Sequence, residues 1–162
     1  MKIKIGERLP KTDLFYLDEN NNVKKLGILD ICKNSKSIIL GMPGAFTKTC
    51  SSIHLPSYVK NYNLAKNKGI SKIICISVND PNVMKAWGEN QNVQNKILML
   101  GDPFLEFTKA IGADVDKSEK GLGIRSNRYT MLIENSEVKK IEEEKETAIC
   151  DLSSAEKFLS TI

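Results

Sequence analysis

The 162-residue chain predicts an α/β domain with a mixed central sheet flanked by helices. Three observations carry that expectation. Short unbroken apolar runs at 37–41 and 72–78 read as strands buried on both faces, the usual composition of parallel strands. Segments with helical spacing lie between such runs, and strand–helix–strand order implies parallel pairing. Late in the chain, 128–134 and 138–142 flank Asn135-Ser136 and read as a hairpin, which adds antiparallel strands. A chain of this length, taken over 1–162 as one domain, has room for one core.

Each element has its local reason. Asn20-Asn21-Asn22 marks a loop tip between Leu14-Phe15-Tyr16-Leu17 and Val23. A helical turn covers Ile28-Leu29-Asp30-Ile31 and places Cys32 in the core. After the strand at 37–41, apolar residues at Ile53, Leu55, Val59, Tyr62 and Leu64 predict a helix from about 49 to 68. Gly69 stands at its C′ position, and Pro56 predicts a kink within it. Behind the strand at 72–78, Asp80 reads as an N-cap and Pro81 as the first helical residue of a helix through Trp87. A third strand is expected at 96–100. Asp102-Pro103 opens another helix running to Gly112, and Asp151 or Ser153 caps a terminal helix through Leu159. The order is that of a thioredoxin-like layout.

Composition narrows the function classes. The net charge of +4 is mild, and the arginines are only Arg8, Arg125 and Arg128. Basic residues are spread along the chain, whereas nucleic-acid binders concentrate them on one face. No basic-then-apolar leader and no run of ~18 apolar residues is present, so no membrane association is expected. The expected compartment is the cytoplasm, or an organelle if a transit peptide has been trimmed. The four cysteines, at 32, 50, 75 and 150, form no C-x-x-C pair, and His54 is the only histidine. That set does not make a structural zinc site, nor a secreted disulfide scaffold. A reducing compartment, in which one thiol has its own task, fits better.

That thiol is Cys50. It falls in the first turn of the helix after the first buried strand, where free backbone N–H groups and the helix dipole favour thiolate over thiol. Lys48 adds positive charge. Thr47, three residues earlier, places a hydroxyl about one turn away, and Pro43 with Gly44 shapes the bend and shields one side of the sulfur. Taken alone, Thr-x-x-Cys also fits an N-cap threonine and a buried filler.

The longer string is more specific. Pro43-Gly44-Ala45-Phe46-Thr47-Lys48-Thr49-Cys50-Ser51, continuing to His54-Leu55-Pro56, resembles the peroxidatic motif of the peroxiredoxins, and most closely their type II, or peroxiredoxin-5-like, subfamily. The stretches 75–80, 83–87 and 121–129 are similar to the same subfamily, in the same order. The resemblance implies thiol-dependent reduction of hydrogen peroxide and small alkyl hydroperoxides on a thioredoxin-like fold, serving antioxidant defence and redox homeostasis, with no metal, flavin or haem. It implies that Cys50 attacks the O–O bond and becomes a sulfenic acid, that Thr47 positions peroxide and thiolate, and that Pro43 screens the intermediate. The family's arginine corresponds to Arg128, which would stabilise the thiolate and the leaving oxygen, with Arg125 the competing candidate in the same loop. One departure is Lys48, where the family commonly has proline.

The resolving thiol stays open at this level. Alignment with the animal-type C-terminus places Cys150 on the resolving position, whereas the plant-type position matches Cys75, whose mid-strand setting reads as core. A one-cysteine mechanism remains the third option. Glutaredoxin with glutathione, or thioredoxin, is the implied reductant, and the implied assembly is a homodimer. His54, one turn beyond Cys50, reads as a satisfied histidine at a packing surface and stays outside the catalytic set. Two other functions compete. A general thiol–disulfide oxidoreductase is opposed by the lack of C-x-x-C. A non-catalytic redox-regulated binding or holdase protein is opposed by the intact Pro43, Thr47, Cys50 and Arg128.

Overall fold

The computed structural model describes residues 1–162. Its first hairpin joins β1 (Asp13–Leu17) to β2 (Val23–Gly27) through the asparagine tip, where Asn21 takes a left-handed φ of 61°. A single helical turn, α1 (Ile28–Cys32), leads into β3 (Lys36–Met42). A helical segment separates β3 from β4 (Lys72–Ser77), which is succeeded by α4 (Pro81–Asn90), β5 (Leu98–Gly101) and α5 (Glu106–Ala110). β6 (Asp114–Asp116) and β7 (Ile124–Ser126) form a small separate sheet that no hydrophobic period marks. The late hairpin is β8 (Tyr129–Glu134) with β9 (Glu137–Glu143), and α6 (Ala155–Ser160) ends the chain.

The main sheet has the order β2-β1-β5-β4-β3-β8-β9. β3 pairs parallel with β4, and β4 with β5, while β8 runs antiparallel to β3. The mixed sheet and flanking helices are those expected. No helix is long and apolar enough to cross a membrane.

Strand alternation sorts the interior into two cores, one on each face of the sheet. Ile38, Leu40, Met42, Ile73, Cys75 and Leu132 point to the face that packs Tyr58, Trp87 and Phe158. Ile39, Ile74, Ile76, Met131 and Ile133 point to the other, against Ile28, Phe107 and Ile111. Even-numbered positions of β8 therefore share a face with Cys75, and Cys50 lies in that same core.

Several boundaries differ from expectation, each for a local reason. The helix expected at 49–68 is broken twice. Pro56 has no N–H for the carbonyl four residues back and its ring crowds that carbonyl. The preceding turn widens into a π-turn at Cys50–His54, where the Leu55 N–H bonds to the Cys50 carbonyl. α2 (Leu55–Lys60) then stops at Asn61, and α3 (Tyr62–Asn67) comes next, ending at Gly69 with φ 81°. The helix expected from Asp102-Pro103 begins only at Glu106, because Leu105 adopts φ 61°. Asp102 still caps it, accepting from the Thr108 N–H at 2.8 Å and the Thr108 hydroxyl at 2.7 Å. α6 is capped by Ser154, whose hydroxyl accepts from the Lys157 N–H, rather than by Asp151 or Ser153, whose side chains are engaged by Lys157 Nζ and by Glu144. At α4 the Asp80–Pro81 start holds, with Asp80 accepting from Asn82 and Val83, and the helix runs three residues past Trp87.

Candidate active site

β3 delivers the chain to the bend at Pro43-Gly44, and Asn79 anchors the residue just beyond it. The Asn79 Oδ1 accepts from the Ala45 N–H at 2.9 Å and from the Ser77 hydroxyl at 2.7 Å. Gly44 lies close to two side chains of the site: a Cβ there would meet the flexible end of Arg125, Nη1, at 2.7 Å and Thr47 Cγ2 at 3.2 Å. Phe46 turns the chain through φ 59°, and its ring is left exposed. The Thr47 hydroxyl donates to the Gly44 carbonyl at 2.8 Å, which leaves its lone pairs free to accept. The first turn begins at Lys48, and the N–H groups of Lys48, Thr49 and Cys50 have no acceptor within the chain. Cys50 and Pro43 are both buried there.

Arg128 reaches the sulfur from the start of β8, the strand paired with β3. It directly precedes β8, and even-numbered parity turns it toward the core that holds Cys50. Its position depends on its neighbour: Tyr129 pairs with Gly41 across β3 and β8, and its ring lies where a Cβ on residue 41 would be. The Arg128 side chain is only 1% exposed and nearly saturated with partners. Nε and Nη2 both donate to the Thr147 carbonyl, at 3.1 and 2.8 Å. Nη2 also donates to Cys50 Sγ at 3.3 Å, and Nη1 lies 3.1 Å from His54 Nδ1. No carboxylate pairs with the guanidinium, so its charge is directed at the sulfur. Arg125 instead donates to the carbonyls of Leu122, at 2.8 Å, and Pro43, at 3.3 Å.

His54 has no exposed surface, and its Nε2 lies 3.3 Å from Thr130 Oγ1. Burial, then the charge of Arg128, hold its pKa down at about 3. Thr130 donates onward to the Ser153 carbonyl at 2.8 Å, which also accepts from the Tyr58 hydroxyl at 3.2 Å. The loop from Glu144 to Ser153 closes over this network. The Glu144 carboxylate accepts from the N–H groups of Asp151 (2.7 Å) and Ser153 (2.8 Å) and from the Ser153 hydroxyl (2.8 Å). Thr49 ties the loop to the helix start by donating to the Ala148 carbonyl at 3.1 Å.

The other thiols differ in setting. Cys32, the last residue of α1, is buried, and burial pushes its pKa up to about 11. Cys75 has no exposed surface, and burial raises its pKa well above the ordinary thiol value. Cys150 is partly exposed in the Glu144–Ser153 loop, 3.6 Å from Ser153 Oγ. Its pKa is also raised by burial, but the Ser153 hydroxyl and Arg128 act against the rise.

The structure thus joins Cys50 directly to Arg128 and puts Thr47 and Pro43 on the same bend. It places the Cys150 loop against Arg128. Arg125 serves the bend, not the sulfur. Three contributors are not marked by the sequence: the Thr147 carbonyl, Asn79 as anchor of the bend, and His54 as a partner of Arg128. For His54 the only signal is its spacing from Cys50. A backbone carbonyl such as that of Thr147 leaves no signal at all.

Comparison with known proteins gives concordant matches. The Redoxin family matches residues 4–159. Peroxiredoxin-2D of Arabidopsis thaliana is 40% identical over 136 residues, covering 84% of this chain and 84% of that protein. The chloroplastic peroxiredoxin-2E of the same plant is 38% identical over 163 residues, covering 99% of this chain and 69% of that protein. Among solved structures, reduced Prx3 from Vibrio vulnificus in complex with hydrogen peroxide superposes with a TM-score of 0.92 at 39% identity, covering 98% of each chain.

Proposed function

The chain belongs to the Redoxin family as a type II peroxiredoxin and is a thiol-dependent peroxidase, and from that premise we propose which of its residues do the work. Cys50 is the peroxidatic nucleophile. Its Sγ attacks one peroxide oxygen, the S–O bond forms as the O–O bond breaks, and the sulfur becomes a sulfenic acid. The departing oxygen takes a proton and leaves as water or alcohol. The observation that carries this reading is the 3.3 Å contact between Arg128 Nη2 and Cys50 Sγ in a buried pocket. A desolvated guanidinium there stabilises the ionised sulfur and the charge that builds on the leaving oxygen.

Thr47, its proton already committed to Gly44, offers lone pairs to the peroxide O–H. The free N–H groups of the first turn face the same space, and Pro43 excludes water from one side of the sulfur. The complete burial of Cys50 favours small oxidants, hydrogen peroxide and short alkyl hydroperoxides. The hydrogen peroxide bound by the Vibrio vulnificus relative is consistent with that choice.

Peroxiredoxins act on peroxides with a thiol reductant. For this chain the proposed resolving thiol is Cys150: its sulfur attacks the Cys50 sulfenic acid, a disulfide forms and water leaves. Its partial exposure and its place in the loop over Arg128 support it against Cys75, which is sealed in β4. Glutaredoxin with glutathione, or thioredoxin, then reduces the disulfide. The single domain over 1–162 is proposed to act as a homodimer, with exposed Phe46 and Ile124 near the bend as apolar surface that association would cover. The cytoplasm is the proposed compartment, although the 2E relative is chloroplastic.

The test is rapid mixing of the reduced protein with hydrogen peroxide. A fast signal that disappears in Cys50→Ser is expected. The same fast oxidation in Cys50→Ser would overturn the assignment.

A further inference from the structure

We propose that His54 is a positioning residue for the peroxidase reaction: held as the neutral Nε2–H tautomer, it fixes the Arg128 guanidinium against the Cys50 sulfur. The inference rests on the role of Cys50 proposed above and adds a residue outside its Pro43–Thr47–Cys50–Arg128 set.

A guanidinium has five N–H donors and no acceptor. The 3.1 Å contact between Arg128 Nη1 and His54 Nδ1 is therefore a hydrogen bond only if Nδ1 presents a lone pair. The proton of the neutral ring then sits on Nε2, which faces the Thr130 hydroxyl at 3.3 Å. That hydroxyl is free to accept, because its own proton goes to the Ser153 carbonyl at 2.8 Å. Each donor in the chain Arg128–His54–Thr130–Ser153 meets one acceptor, in one direction only. A protonated ring would put an N–H against the Arg128 N–H in a site without exposed surface. The other groups around the ring are Cys50, one turn back on the same segment, and Tyr58, whose ring meets it edge-on at 5.9 Å. No carboxylate faces the imidazole, and the one contact that favours its charged form, the Ser153 carbonyl, is outweighed by burial and by the charge of Arg128.

The geometry also shows why Arg128 needs this contact. The Thr147 carbonyl takes both Nε and Nη2, which anchors one edge of the guanidinium and leaves it able to pivot there. His54 holds the other end through Nη1. With both ends held, the remaining Nη2–H points at Cys50 Sγ. Cys50 and His54 open and close the same π-turn, and the widening ahead of Pro56 places both side chains on Arg128. The imidazole thus acts on the sulfur only through the arginine.

Three measurements test this. The chain has one histidine, so nitrogen-15 NMR of histidine-labelled protein shows a single ring. The Nε2–H tautomer, with no titration between about pH 5 and 8, is expected. An Nδ1–H tautomer, or titration near the ordinary histidine value, overturns the proposal without any variant. The second measurement compares His54→Asn, whose Oδ1 can replace the Nδ1 acceptor, with His54→Gln, whose amide falls at the Nε2 position. His54→Gln is expected to lower the second-order rate with hydrogen peroxide about tenfold or more, and His54→Asn to stay within about threefold of wild type. Third, the pH at which Cys50 becomes half-reactive to iodoacetamide, followed by mass spectrometry, moves up by about one unit in His54→Gln. Equal rates in His54→Gln and wild type, or parallel losses in both variants that track melting temperature, overturn the proposal. Alkylation and NMR need no peroxide turnover, so their outcome is separate from that of the Cys50→Ser test.

Discussion

Arg128→Lys keeps the charge and removes the geometry. The guanidinium serves three acceptors at once: the Thr147 carbonyl at 2.8 Å, His54 Nδ1 at 3.1 Å and Cys50 Sγ at 3.3 Å. It does so from three nitrogens held in one plane, with Nη2 serving both the carbonyl and the sulfur. A lysine ammonium offers three protons from a single nitrogen and cannot occupy both the Nη1 and the Nη2 positions. The carbonyl and the imidazole are fixed by their own networks, so the contact given up is the one to sulfur. A hydrogen bond to a charged group contributes about 1.5–3 kcal/mol. If it is made to the reacting thiolate and transition state, its loss slows the reaction between about tenfold and roughly 150-fold. The assay is built into the chain: Trp87 is the only tryptophan, is fully buried, and donates to Ser51 Oγ at 3.0 Å, next to the reacting cysteine. Its fluorescence should report oxidation of Cys50 in stopped flow. An Arg128→Lys protein that melts normally yet reacts within about twofold of wild type would refute the reasoning.

Acid should destabilise the protein through His54. Its folded pKa of about 3 lies below the unfolded value of about 6.5, so between those pH values the unfolded chain binds a proton that the folded one does not. Stability is therefore full above about pH 6.5 and falls as pH drops toward 3, by on the order of 5 kcal/mol in all; urea midpoints should show this slope, and His54→Asn should flatten it. Gly41→Ala forces a Cβ into the Tyr129 ring and is expected to cost about 1–3 kcal/mol of stability, read as a lower melting temperature, with peroxidase activity reduced because Arg128 moves with its neighbour. After one equivalent of peroxide, intact-mass and peptide mapping should find a Cys50–Cys150 disulfide in wild type and in Cys75→Ser. Cys150→Ser should carry a sulfenic acid or a mixed disulfide with added thiol instead, and a Cys50–Cys75 disulfide would reassign the resolving role. Asp80→Ala removes the acceptor for two N–H groups at the start of α4 and should cost about 1 kcal/mol with little change in peroxide rate.

The features legible in the sequence were those that short-range chemistry decides. Asp80-Pro81 starts a helix and Asn135-Ser136 turns a hairpin because each dipeptide carries its own geometry, and both residues of the hairpin turn have positive φ in the structure. The buried runs of β3 and β4 declared themselves because both faces of a central strand must be apolar. The strand pairing β6–β7 did not, since three residues alternating with charge make no period. The site divides along the same line. Its bend and its cysteine are contiguous in the chain. The arginine could be chosen over Arg125 on physical grounds only once strand parity turned residue 128 toward Cys50. His54 shows where sequence spacing stops being informative: a residue one turn away is known to be near, but nearness does not say in which protonation state. An exposed histidine beside a thiolate would act as a cation. The same histidine with no exposed surface, facing a guanidinium that can only donate, has to be an acceptor, and its effect on the sulfur passes through the arginine it holds.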